Sequence, residues 1–240
     1  MIKLFRNIRQ KLLAEGKATN YLKYAIGEIV LVMIGILLAL QVNNWNENRK
    51  IEKEQTLFLT NLKEDLENDL YQMDRIIHFQ SQKLENIIAL EQELKNPSAK
   101  NMDLIEQLFS KTQSAGNDTF FSNTGTYSSS VSSGTLANTK PESLKIAITN
   151  LYERYYYRLI YNGELYDNRV DEVGILRGKF YNQITRKLNN LEVLNESEFQ
   201  NLTSVILYYN RSYVDLANAT KNEIQKVIDL IEKQLATKND

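Results

Sequence analysis

Cysteine is absent from the 240 residues, and histidine occurs once, as His78. The first absence excludes disulfides, thiolate metal sites and cysteine catalysis, and the second excludes His-rich zinc sites and leaves little for a histidine-based triad. Proline is scarce as well: only Pro97 and Pro141 are present, and both fall where periodic apolar patterning stops. Net charge is close to zero, with 29 Lys plus Arg against 30 Asp plus Glu. That balance hides a polarised chain. Residues 1–23 hold six bases (Lys3, Arg6, Arg9, Lys11, Lys17, Lys23) and one acid, Glu15, whereas residues 43–240 carry an excess of acids. The large C-terminal part has no basic surplus for phosphates, which argues against a nucleic-acid partner. Catalytic motifs are also missing. No HExxH or GxSxG occurs, and GILRGK at Gly174–Lys179 has neither the spacing nor the following Ser or Thr of a phosphate loop. The pairs Glu64–Asp65 and Asp171–Glu172 are adjacent on helices and so do not face one another. Nothing supports an enzyme, a cofactor or a metal site, and a single histidine beside an apolar stripe reads as a surface or partly buried side chain.

What the chain has is a long apolar run. From Tyr24 to Val42 it reads YAIGEIVLVMIGILLALQV, with Ile29–Leu40 unbroken by any polar side chain. Nineteen helical residues rise roughly 28 Å, close to the thickness of a hydrocarbon core. Tyr21 and Tyr24 on one side and Trp45 on the other are amphipathic rings suited to the two interfaces. Six bases precede the span and only Arg49, Lys50 and Lys53 follow closely, so the positive-inside rule predicts a cytoplasmic N-terminus, an inner-membrane helix over 24–42, and residues 43–240 in the periplasm. A cleaved signal peptide is the rival, but the lead is 23 residues long and Ala39–Asn43 offers no small-x-small cleavage pattern. Met1, Phe5, Ile8 and Leu12 recur at helical spacing among the bases, which fits either an amphipathic helix in the headgroup layer or a basic tail that only enforces topology.

Glu28 is the one ionisable group inside the span, near its cytoplasmic edge. It shares the helix with Gly27, Gly35 and Ala39, small residues that leave one face smooth enough for close approach of another membrane helix. That face reads either as a packing surface, with Glu28 hydrogen-bonding across it, or as small residues with no partner, since glycine is common in membrane helices.

The run YAIGEIVLVMIGILLALQVNNWNE at Tyr24–Glu47, together with IRQKLL at Ile8–Leu13, resembles the N-terminal signature of a domain-of-unknown-function family of small single-pass proteins in Bacteroidota. Thr126–Tyr127, Ser132–Gly134 and the tyrosine-rich run ending at Tyr156 resemble its second, looser signature, although SSSVSSG is more polar than that pattern. The resemblance implies an inner-membrane anchor and a periplasmic helical domain, and no activity.

Beyond the span, Leu59, Leu62, Leu66, Leu70, Met73, Ile77, Leu84 and Ile87 write an apolar stripe along one long helix continuing from the anchor, with the intervening charged residues as a solvated face. That helix is expected to end at Asn96–Ser98, with a short helix over Met102–Lys111 completing the 43–111 segment. Residues 112–140, rich in Ser, Thr and Gly, read as a loop or flexible linker, with a short helix suggested at Thr126–Ser133 closed by Gly134. Two long helices fill 141–240. The first, with Pro141 in its opening turn, stays periodic to about Leu188, with Gly163, Gly174 and Gly178 as weak points. The second opens with a capping box at Asn195 or Ser197 and runs to about Leu235. The expected fold is all-α: one N-terminal transmembrane helix continuing into an extracytoplasmic antiparallel bundle of long helices.

Tyr152, Tyr155, Tyr156 and Arg158 crowd one of these helices and Tyr208 and Tyr209 the other, as a candidate surface for a carboxylate, a sugar or a partner. More often such tyrosines fill the edge of a bundle core with their hydroxyls reaching water. Two functions compete. One is a membrane-anchored interaction or scaffold protein that contacts the bilayer, its own copies or other membrane proteins. The other is a ligand-responsive sensor subunit signalling through a membrane partner, because 23 residues leave no room for an output domain of its own. Neither reading names the small-molecule ligand.

Overall fold

A computed structural model describes residues 18–98, 100–113, 117–190 and 192–237. The chain divides into two units, Met1–Glu54 and Gln55–Asp240. Helix α1, Ala18–Glu93, contributes to both; it contains no proline. The basic segment over 1–17 lies outside the described residues, as do the side chains of Tyr21 and Tyr24.

In the first unit, every side chain from Ile29 to Glu54 is exposed. Ile29–Leu40 is apolar on all sides, the pattern of a membrane span, and the helix that holds it is long and apolar enough to cross a bilayer. Gly27 and Gly35 have nothing within 4 Å of where a Cβ would sit, so packing within the chain does not require them. Trp45 is exposed, with the Arg49 guanidinium 5.9 Å from the centre of its ring.

In the second unit, α1 is followed by α2 (Met102–Gln113), α3 (Gly125–Ser133) and α4 (Glu142–Asn150). A π-helical turn, Leu151–Tyr156, joins α4 to α5 (Tyr157–Arg177). Next come a two-residue antiparallel strand pair, β1 (Tyr181–Asn182) with β2 (Lys187–Leu188), a 3-10 turn (Glu192–Asn195) and α6 (Ser197–Ala236). The all-α expectation therefore holds except for this small hairpin.

The helix directions follow from side-chain partners. Helix α6 runs against α1, since Lys63 meets Glu232 at 2.7 Å while Gln80 meets Asn210 at 2.8 Å. Helices α1 and α5 run the same way, because Asp69 bonds Tyr156 and, further along both, Gln80 meets Tyr166. The bundle is thus antiparallel in two of its long pairs and parallel in the third. Parallel neighbours need a return connection, and residues 94–141 supply it.

That segment corrects the expected linker. After α2, residues 117–123 run back along α1, with Asn117 beside Gln80, Phe121 beside Gln72 and Asn123 beside Asp69. Phe120 is buried, and Asn138 accepts a bond from Gln55 near the start of the unit. The composition suggested flexibility because it offers little apolar area, but the strap is held by polar side chains presented from the helices. Its short helix does form, one residue longer than expected, and Gly134 closes it in the left-handed region at φ 77°.

A second correction concerns the helix expected to reach Leu188. It stops at Arg177: Gly178, Lys179 and Phe180 fold back onto Ile175, Leu176 and Arg177 through backbone bonds. Asn182 Oδ1 then accepts from the backbone N–H of Ile184 and Thr185, and Arg186 takes φ 56°, a turn that an Asn side chain promotes. The capping box expected at the start of α6 is not formed. Glu196 occupies the cap without a side-chain bond, and Gln200 reaches Leu194 O instead.

Two apolar cores result. The first gathers Leu59, Leu62, Leu66, Met73, Ile76, Tyr152, Tyr156, Leu159, Tyr213 and Ile224, among others. The second gathers Ile87, Leu90, Phe109, Phe180, Tyr181 and Phe199, with Phe109 stacked 5.1 Å from Phe199.

Candidate functional site

The buried positions of α1 follow a heptad rhythm through Leu59, Leu62, Leu66, Asp69, Met73, Ile76, Gln80, Lys83, Ile87 and Leu90. Three of these are polar, so Asp69 and Lys83 do not belong to the solvated face on which the sequence placed the helix charges. Buried polar groups need partners, and the strap provides them.

Asp69 is fully buried. Its Oδ2 accepts from the Tyr156 hydroxyl at 2.8 Å, and its Oδ1 accepts from Asn123 N at 3.0 Å and Asn123 Nδ2 at 2.7 Å. Burial pushes its carboxyl above the usual range, against the lowering effect of the bonds from Tyr156 and Asn123. Tyr152 donates to Asn123 O at 3.1 Å and stacks on Tyr127 at 4.1 Å; Tyr127 in turn donates to Glu153 at 2.8 Å. Tyr152 and Tyr156 both lie in the π-helical turn, four residues apart, and both face the core. Burial raises both phenols far above their ordinary value, and burial with the Glu153 bond pushes Tyr127 up to about 12. These tyrosines stay protonated and act as donors, not as bases or nucleophiles.

About three turns further on, Asn117 ties three elements together. Its Oδ1 accepts from Gln80 Nε2 (3.0 Å) and Lys83 Nζ (3.2 Å), and its Nδ2 donates to Asp167 at 2.7 Å. Thr119 donates to the other Asp167 oxygen at 2.8 Å, and the Tyr213 hydroxyl accepts from Phe120 N at 2.8 Å. Lys83 lies under the Tyr166 ring at 5.2 Å, and burial pulls its amine down to about 8 against the raising influence of Asp167. The strap passes so close to α5 that a Cβ on Gly163 would meet Tyr213 Cε2 at 3.3 Å and Thr119 Cβ at 3.4 Å.

The expected tyrosine surface is therefore divided. Tyr152 and Tyr156 are enclosed in the core, Tyr155 and Tyr209 are half-buried, and Arg158 and Tyr208 are exposed. Tyr209 stacks 6.5 Å from Tyr166, with the Arg169 guanidinium over it at 5.6 Å. The Tyr152 pair and the Tyr209 pair thus pack in separate aromatic groups. His78 is exposed. No group of three His, Cys, Asp or Glu among the described residues is placed to hold a metal ion.

Sequence reasoning missed the other end of the unit. There Glu106, buried on α2, accepts from Lys187 Nζ at 2.7 Å and from Leu188 N at 2.8 Å, pinning the hairpin. Arg177, the last residue of α5, is 8% exposed. Its Nη1 has no hydrogen-bond partner among the described residues, and neither do the buried Tyr181 hydroxyl and Thr203 Oγ1. A base closing a helix beside Gly178 was the available signal, but it reads as a solvated helix end.

Residues 28–212 match the Family of unknown function (DUF6090). The chain belongs to this family. The DUF6090 match takes in the strap, the π-helical turn and the hairpin as well as most of the apolar span. No curated protein and no solved structure matches the chain.

Proposed function

We propose that this DUF6090 member is a single-pass, membrane-anchored interaction protein of the bacterial envelope. Residues 24–42 form the inner-membrane anchor, the basic N-terminus lies in the cytoplasm, and residues 43–240 form a periplasmic helical scaffold. The observation that carries this reading is the apolar stretch Ile29–Val42, whose side chains are all exposed among the described residues. Leaving such a surface in water is strongly unfavourable, and a bilayer relieves it. The orientation rests on six bases before the span against three just after it. Gly27, Glu28, Gly35 and Ala39 mark the face that meets a second copy or another membrane protein.

Protease added to spheroplasts should digest residues 43–240 while membranes retain the N-terminal fragment. Full-length protein recovered free in a surfactant-less extract would overturn the anchor. Glu28→Leu with Gly35→Leu should weaken cross-linking within the membrane; unchanged cross-links would overturn the contact face. The second reading, a ligand-responsive sensor subunit, draws its support from the buried Arg177, whose Nη1 has no partner among the described residues, and not from the enclosed tyrosines.

A further inference from the structure

Arginine is always charged in proteins, and a buried guanidinium is ordinarily paired with a carboxylate. No carboxylate lies within ion-pairing distance of Arg177 among the described residues. None occurs nearby in sequence either: residues 173–191 contain Arg177, Lys179, Arg186 and Lys187 but no Asp or Glu. Lys179 and Lys187 find distant partners, in Glu198 at 3.0 Å and in Glu106 and Asp103. Arg177 instead has Gln183. With its amide turned so that both groups are satisfied, the Gln183 side-chain oxygen accepts from Arg177 Nε at 2.8 Å and from Nη2. A neutral amide oxygen thus sits on the two-pronged edge where a carboxylate would bind. Gln183 is exposed and stands in the hairpin turn, between Asn182 and the 94%-exposed Ile184, so it can leave without disturbing either core.

We propose that Arg177 is the anchor of a carboxylate-binding site, in which the carboxylate of a small organic acid displaces the Gln183 amide from the guanidinium edge. An ionised acceptor makes a bidentate bond roughly twice as strong as a neutral one, which drives the exchange. The two donors left unmatched beside it, Arg177 Nη1 and the Tyr181 hydroxyl, are further points for the ligand's oxygens. The charge of the guanidinium itself favours an anion over a neutral ligand. The site gives the outer unit a ligand-responsive hairpin, which goes beyond the interaction reading and does not depend on the anchor.

The test uses the full chain in detergent and compares melting in sodium acetate with melting in sodium chloride at equal ionic strength. Acetate should raise Tm by about 2–4 °C near saturation. Gln183→Glu, which supplies the carboxylate from the chain itself, should raise Tm without acetate and abolish the acetate response. Gln183→Ala should keep that response. Equal melting in the two salts overturns the site, as does a Gln183→Glu protein no more stable than Gln183→Ala. Neither variant alters the core, so both report even if Arg177→Met fails to fold. A negative result here leaves the spheroplast experiment untouched.

Discussion

The two cores of the second unit differ in how far their buried polar groups are matched. In the first, Asp69 finds its donors in the strap and in Tyr156, and Lys83 and Asp167 share Asn117; only Asn210 Oδ1 has no partner among the described residues. In the second, Arg177 Nη1, Tyr181 and Thr203 carry groups that the described residues do not match. The first pattern is that of groups retained to fix one chain arrangement, because a strap of Ser, Thr, Asn and Gly has little apolar area and must be held by bonds. The second core holds Glu106 fully bonded but leaves the other three groups without a partner among the described residues.

The contrast is broken most severely at Asp69. Asp69→Ala strands the Tyr156 hydroxyl and both Asn123 donors, and urea unfolding should show a loss of at least about 3 kcal/mol. Lys83 comes next, through pH. Its folded-state amine titrates near 8, below the ordinary 10.5, so between those values the unfolded chain binds the extra proton and stability rises with pH. Relative to Lys83→Met, the wild type should gain about 2 kcal/mol between pH 8 and 9.5, a window below tyrosine ionisation. A flat difference would show that the folded-state Lys83 amine keeps its ordinary value. The smallest effects sharpen the comparison directly. Tyr156→Phe should cost about 1–2 kcal/mol because an Asp69 oxygen loses its donor, whereas Tyr181→Phe, measured without added carboxylate, should change stability by less than about 0.5 kcal/mol. Equal losses would erase the distinction between the two cores.

Much of the helical content was legible in residue spacing. The 3-and-4 rhythm marked α1 and α6, Pro97 and Pro141 marked breaks, and Gly134 marked the end of α3. The strap was not, because its partners are polar residues at heptad positions of α1, and a pattern search that counts only apolar residues assigns Asp69, Gln80 and Lys83 to solvent. The shift from Ile77 to Ile76 as the buried member of the stripe has the same origin. The hairpin escaped because Gly178 and Asn182 redirect the chain within a segment whose apolar residues still suit a helix. Of the candidate site, Tyr152 and Tyr156 were found as a cluster, but burial, which spacing does not report, turned them from a surface into a clamp. Arg177 carried no local signal, since its significance lies in the acid that is missing around it.

The course of α6 against α1 has a mechanical consequence. Lys63 meets Glu232, so Gln55 and Ala236 lie at the same end of the second unit. Tension applied between them would peel the helices apart one layer at a time, from that end inward, without having to shear all layers at once. Such a unit yields to pulling at modest force, and the Asn117 and Asn123 clasps would be the rungs at which the peeling pauses.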